Sequence, residues 1–206
     1  MTKKGKLIVI EGGSGSGKTT QIRYLKKELK GWEFYREPGS TTFGEKVRNA
    51  VQALRHGYEV EAYAAMFGYS AARANLIRGV IIPKLKKGAN IVLDRYWYST
   101  YAYQGTDGAS KKTIEKISKI ATDGLKPDLV IFYDLDPVVG MKRKSGRKDA
   151  DRHDVKGFAF HTKVRRSYHE LGKKVGRVWK MVDASKSIEN VRQETLNLLE
   201  KYKILE

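Results

Sequence analysis

The residue pattern predicts an α/β fold in which parallel strands alternate with helices, and three observations carry that prediction. Short runs with strand character recur at Leu7–Ile10, Glu33–Arg36, Ile91–Leu93, Leu129–Tyr133 and Val178–Val182. Between them lie longer segments whose apolar residues fall three and four apart, the spacing of one helix face. A glycine-rich turn joins the first run to the first helical segment. Apolar runs without alternation suit strands covered on both faces, as in sheets built from βαβ units. Such sheets take ligands outside the carboxyl ends of their strands.

The first strand, Leu7–Ile10, passes through Glu11 into the glycine-rich turn. A helix follows from about Gly17 to Leu29, with Ile22, Leu25 and Leu29 on one face and Gly31 ending it. Glu33–Arg36 reads as a short strand closed by Pro38-Gly39. The next helix starts near Thr42 and turns Val47, Val51 and Leu54 inward. A long helical pattern runs from about Tyr58 through Ala62, Met66, Tyr69 and Arg73 to Ile77 or Ile81. Pro83 is expected to kink it before Leu85 and the Gly88 stop. Ile91–Leu93 is a buried strand ending at Asp94, Trp97–Tyr103 a short helix, and Ser110 the cap of a helix to about Thr122. Leu129–Tyr133 is another buried strand, and Asp136-Pro137 opens a helix ending near Arg143. A helix from about Lys156 to Val175, the strand Val178–Val182 and a helix over Ile188–Tyr202 complete the order.

Ser145–Asp154 interrupts the pattern, being rich in Lys, Arg and Asp with no apolar anchor. It reads as a mobile surface loop, an Arg-rich lid over about 144–154. With no internal repeat and no low-complexity linker, residues 1–206 read as one domain. The absence of cysteine rules out a disulfide framework and a thiolate metal site. The basic start, Met1–Lys6, precedes an apolar run too short for a signal peptide, and no stretch is long enough to cross a bilayer. These features together suggest a cytoplasmic protein. The net charge of +18 favours anionic partners, namely nucleotides, nucleic acid or a membrane surface, without choosing among them.

The glycine-rich turn, Gly12-Gly13-Ser14-Gly15-Ser16-Gly17-Lys18-Thr19-Thr20, fits G-x-x-x-x-G-K-[ST], the P-loop, between a strand and a helix. Glycines let the backbone fold back so that several N–H groups point at one anion. The helix start adds the positive end of its dipole. Lys18 would reach the β- and γ-phosphates, and the Thr19 hydroxyl would ligate Mg²⁺. Asp94, at a strand end, is the favoured second residue near Mg²⁺, directly or through water. Asp134, after Val130–Tyr133, is its rival. Arg95 follows Asp94 at once and would meet the same phosphates. Arg143, Arg147, Lys148 and Arg152 form a basic approach and loop. A guanidinium stabilising the transferring phosphoryl is worth about 10³–10⁵ in rate, and a loop can shut water out. The four histidines occupy no catalytic pattern. A monophosphate acceptor needs no strong base, because its second pKa of about 6 leaves it largely dianionic.

These motifs resemble the thymidylate kinases, over nearly the whole chain. Glu11–Gln21 looks like the family's P-loop, and Arg36-Glu37-Pro38-Gly39 is similar to its Arg-Glu-Pro-Gly turn. Tyr69-Ser70-Ala71-Ala72-Arg73 resembles the segment that holds the base, and Asp94-Arg95-Tyr96 with Ser99 and Ala102-Tyr103-Gln104-Gly105 is the most specific part. Pro127-Asp128-Leu129 and Val182-Asp183-Ala184 also match. The resemblance implies a P-loop NTPase fold with a five-stranded parallel sheet flanked by helices, and a homodimer. It also implies Mg²⁺ as cofactor, with ATP and dTMP as substrates. Residues 12–20, Arg143 and Ala184 would hold ATP. Ser14, Glu37, Pro38, Arg48, Tyr69, Arg73, Arg95, Ser99, Tyr103 and Gln104 would hold dTMP. Tyr69 would stack on thymine and Arg73 would hydrogen-bond its edge, tasks that suit a flat ring and a fork of donors. Arg95 would bind the acceptor phosphate, helped by Arg48. Gln104 would lie against the base or sugar, and Tyr103 would exclude a ribose 2′-hydroxyl. With Gly15 and no arginine in the P-loop, Lys18, Arg95, Asp94, Arg147 and Arg152 would be the catalytic set.

Some positions depart from the family pattern. Ser14 stands where a carboxylate usually meets the sugar 3′-hydroxyl, Tyr69 where Phe is usual, and Arg152-His153-Asp154 where Arg-Ile-Glu is common. Phe67 is a second candidate for stacking. The expected reaction is ATP-dependent phosphorylation of dTMP to dTDP. The alternatives are a kinase for another nucleoside monophosphate or for a deoxynucleoside, with Asp94 as base. A nucleic-acid-binding P-loop ATPase would use the net charge, but the chain has no recognition module and no basic region interleaved with stacking aromatics.

Overall fold

The computed structural model describes residues 4–52, 59–145, 153 and 156–204. Its framework is a five-stranded sheet made of β1 (Leu7–Gly12), β2 (Glu33–Arg36), β3 (Ile91–Asp94), β4 (Leu129–Asp134) and β5 (Trp179–Asp183). The strands lie in the order β2-β3-β1-β4-β5, and every pairing is parallel. The helices are α1 (Lys18–Glu28), α2 (Thr42–Gln52), α3 (Ala62–Leu76), α4 (Ile82–Lys86), α5 (Trp97–Thr106), α6 (Lys111–Ala121), α7 (Pro137–Lys144), α8 (Phe158–Val175) and α9 (Ile188–Lys201). No helix among the described residues is long and apolar enough to cross a membrane.

Both faces of the sheet are covered, which explains the unbroken apolar runs. Leu7 and Val9 of β1 join Leu93, Phe132, Met66, Tyr168 and Leu171 in one core. Ile8 and Ile10 point the other way, into a core with Leu25, Ile131, Tyr133, Val191 and Leu199. The period-two alternation of strand side chains therefore places Glu11 on the same face as Leu7 and Val9.

The long helical pattern departs from expectation at both ends. Residues 59–61 are not helical, and Glu61 caps α3, its carboxylate accepting from the Tyr63 and Ala64 N–H groups. Pro83 does not break the helix. A π-helical segment, Ile77–Ile81, joins α3 to α4, and the Ile82 N–H bonds the Ile77 carbonyl five residues back. Pro83 has no N–H to donate to the preceding turn, and the widened turn takes up the mismatch while Ile77 and Ile81 stay buried. Leu54 and Tyr58 lie outside the described residues. Ser110 and Asp136 cap their helices as read, accepting from the Thr113 and Val138 N–H groups.

Candidate active site

In the parallel register Ile10 pairs with Asp94, Arg36 with Asp94 and Gly12 with Tyr133, so the strand carboxyl ends share one edge. A cleft of about 810 Å³ opens there. Residues 13–20 form one wall, and Glu37, Pro38 and Arg48 another. Tyr69, Arg73, Asp94, Arg95, Ser99, Tyr103, Gln104, Arg143 and Ala184 are also among the lining residues. Of the described residues singled out from the sequence, Gly12 contributes its carbonyl to residues that line this cleft, and the rival candidates Asp134 and Phe67 are not among the lining residues. Arg147, Lys148 and Arg152 lie outside the described residues.

The P-loop is shaped by its glycines. Gly15 and Gly17 sit at φ of 70° and 82°, a region that side chains resist. Gly17 precedes α1 with no side-chain cap, which leaves the first-turn N–H groups for an anion. The Lys18 ammonium donates to the Gly12 carbonyl at 2.7 Å and the Gly13 carbonyl at 3.0 Å. The Arg95 guanidinium reaches the same Gly12 carbonyl at 3.4 Å. Two cations, one at the start of α1 and one just after β3, therefore meet at one oxygen. Arg143 ties the loop to the far wall, donating to the Ala184 carbonyl at 3.1 Å and the Gly15 carbonyl at 3.4 Å.

Arg95 occupies the left-handed region, at φ of 70°, right after β3. Its guanidinium donates to the Ser99 hydroxyl at 2.9 Å and lies 5.6 Å from the Tyr103 ring centroid. Burial works against its charge, but the Tyr103 and Tyr168 hydroxyls with Asp94 and Glu11 outweigh that and raise its pKa.

The two candidate aspartates are distinguished by their partners. Asp134 is bound by Arg165 through two bonds of 2.8 Å, with His169 at 3.2 Å. Burial would raise its pKa, and the Arg165 pair and His169 overcome that and lower it. Its carboxylate is thus engaged in joining β4 to α8. Asp94 faces the cleft, and its buried Oδ1 has no hydrogen-bond partner. An orphaned acceptor beside a phosphate-binding loop suits a cation or its water shell.

On the acceptor side, Arg73 is neither a surface charge nor free to give all its donors to a base. It is 3% exposed; its Nε donates to Glu37 and one terminal nitrogen to Thr100 at 3.1 Å. Its Nη1 is buried without a hydrogen-bond partner, as is Glu37 Oε1. Tyr69 is 5% exposed against the cleft and packs with Val51 and Ala65. Phe67 is 53% exposed and is not among the residues that line the cleft. Arg48 donates to the Pro38 carbonyl at 3.3 Å. The Gln104 amide lies 3.4 Å from the His153 Nε2, and His153 itself lines the cleft. The histidines offered no sequence pattern, so His153 could be placed here only by the fold. Glu11, read from the sequence only as the start of the P-loop segment, is fully buried and is linked to Arg95 through Ser99.

A parallel sheet, a glycine-rich loop opening a helix and a cationic cleft at the strand ends define a P-loop nucleotide-binding protein. A family model described as thymidylate kinase matches residues 10–195. A thymidylate kinase of Thermoanaerobacter sp. is 35% identical over 204 residues, covering 97% of this chain and 99% of its own. That of Pseudoalteromonas translucida is 38% identical over 201 residues, 95% of this chain and 96% of its own. That of Carboxydothermus hydrogenoformans is 38% identical over 202 residues, 96% and 98% of the two chains. The chain belongs to the thymidylate kinase family.

Proposed function

We propose that this chain phosphorylates dTMP to dTDP with ATP, holding the two nucleotides end to end in the cleft. The observation that carries the reading is the Gly12 carbonyl shared by Lys18 and Arg95. A donor γ-phosphate drawn to Lys18 and an acceptor phosphate drawn to Arg95 would lie against each other, as in-line transfer needs.

The P-loop amides, Lys18 and the helix dipole would hold the ATP phosphates, with Arg143 and Ala184 on the base side. Arg95, aided by Arg48, would hold the dTMP phosphate. Tyr69 would cover one face of thymine, and the remaining Arg73 nitrogen would meet its edge. Ser99, Tyr103 and Gln104 would close the sugar and base side, and Ser14 would face the sugar. An oxygen of the dTMP phosphate attacks the γ-phosphorus, and the bond from that phosphorus to ADP breaks. No side chain need take a proton from a dianionic acceptor. Arg147 and Arg152, on a lid over about 144–154, would neutralise the transferring group and exclude water.

Among the described residues no three His, Asp or Glu side chains gather as a metal group. Mg²⁺ would therefore rest on few protein ligands, with phosphates and water as the rest, which is this ion's habit beside nucleotides. The orphaned Asp94 oxygen and the Thr19 hydroxyl fit that role. When bound, Mg²⁺ would offset the charge on the phosphates. We further place the protein in the cytoplasm as a single-domain homodimer, in keeping with the sequence features and the family resemblance.

The test is a coupled assay with a panel of acceptors. dTMP should exceed CMP, GMP, AMP and thymidine in kcat/KM, by about tenfold or more if the pocket's buried polar groups select the base. Equal turnover across the panel would overturn the substrate assignment.

A further inference from the structure

Glu11 places a carboxylate near the end of an otherwise apolar strand, β1. It is fully buried on the face of β1 that carries Leu7 and Val9, among side chains of α5 and α8. Its Oε1 accepts from the Tyr96 N–H at 2.8 Å. Its Oε2 accepts from the Ser99 hydroxyl at 2.7 Å and from the Tyr168 hydroxyl at 3.0 Å. Ser99 in turn accepts from Arg95 at 2.9 Å, and its oxygen lies 2.9 Å from that of Tyr168. A continuous chain therefore runs from the carboxylate through one hydroxyl to the guanidinium, while the Tyr96 bond grips the backbone just after Arg95.

We propose that Glu11 is a positioning residue for acceptor binding: through Ser99, Tyr168 and the Tyr96 amide it fixes the direction of the Arg95 guanidinium. Three features argue for this over simple packing. A buried carboxylate costs stability unless paired and hydrogen-bonded, and an apolar residue would fill the site more cheaply. Arg95 holds a left-handed backbone conformation that side chains resist, so something must hold it there, and the Tyr96 N–H bond is adjacent. The long arginine side chain has many rotamers, and Ser99 with Glu11 behind it selects the one that points at the Gly12 carbonyl. Burial pushes the Glu11 carboxyl upward, while the Arg95 charge and the three donors pull against that push.

This inference rests on the reading that Arg95 holds the acceptor phosphate, and the experiment separates the two. Affinities for dTMP and for thymidine are measured by titration calorimetry, since only dTMP carries the phosphate. Arg95→Ala should erase most of the preference for dTMP; if the preference survives, the reading of Arg95 fails. Glu11→Gln keeps the shape but removes the charge and one acceptor. It should weaken dTMP by about tenfold, the scale of a charge-assisted hydrogen bond, with thymidine and ATP affinities held within about twofold. Tyr168→Phe removes one donor with little change of volume and should move dTMP the same way by about threefold. It serves as the test should Glu11→Gln fail to fold. If Arg95→Ala erases the preference while Tyr168→Phe and any folded Glu11→Gln leave it intact, the positioning role is wrong. Loss of dTMP and thymidine affinity in equal measure would likewise overturn it, as the mark of a merely structural residue.

Discussion

Glu37 shows how much one buried side chain can change with pH. It pairs with Arg73, each side chain about 3% exposed. Burial pushes its carboxyl up to about 7, against the charge and hydrogen bond of Arg73, and Glu11 adds to the upward push. Its ordinary value is 4.5, so between 4.5 and about 7 the folded chain holds this proton more tightly than the unfolded chain. The stability that follows is fully present below 4.5 and is lost as the pH rises through about 7. Glu37→Gln cannot titrate. Denaturant melts of both proteins should show the wild type gaining on the variant by about 1–3 kcal/mol as the pH falls from about 8 to about 5. A difference that stays flat over that range would show that Glu37 keeps an ordinary pKa. The sequence contained both residues and, through the family register, a role for each. It contained no sign that they pair, because they stand 36 positions apart and meet only when α3 packs beside the end of β2.

The P-loop owes part of its shape to an element far away in the chain. A Cβ on Gly140 of α7 would stand 2.4 Å from the Ser14 carbonyl oxygen, and one on Gly15 would stand 2.3 Å from the Gly140 carbonyl oxygen. Backbone meets backbone there, so neither contact can be relieved by turning a side chain. Gly140→Ala should displace the phosphate loop, raising KM for ATP by about tenfold or more, with a smaller loss of dTMP affinity through Ser14. Steady-state kinetics with calorimetry for dTMP would check this. An unchanged KM for ATP would mean that the loop is not braced by α7. Gly15 belonged to a motif readable from the sequence, whereas Gly140 sat unremarked in a helical stretch. The motif specifies a loop that bends, but the surface it bends against is a tertiary fact. The π-helical segment before Pro83 is similar: proline announced a disturbance, and packing of Ile77 and Ile81 decided that the helix would widen and continue.

For the whole molecule, the arrangement is a sheet whose strand ends bring two cations, Lys18 and Arg95, to one oxygen. The net charge of +18 suits two polyanionic nucleotides, and the cleft draws lysine and arginine side chains from several elements. If the lid arginines act on the transferring phosphoryl and not on the ground-state acceptor, Arg147→Ala and Arg152→Ala should each lower kcat by about 10²-fold or more. Affinity for dTMP should stay within about threefold. Binding lost as strongly as turnover would place these residues in the acceptor site and end their lid assignment.

Sequence alone settled the element order, the P-loop and most of the cleft's lining, because these depend on local periodicity and on short motifs whose residues act together. Tertiary structure decided which of two strand-end aspartates is already engaged, which aromatic faces the cleft, and what stands behind Arg95. Those choices depend on side chains from distant segments reaching the same few ångströms of space. A linear pattern cannot show how a buried donor or acceptor is satisfied, since its partner is set by packing and not by spacing.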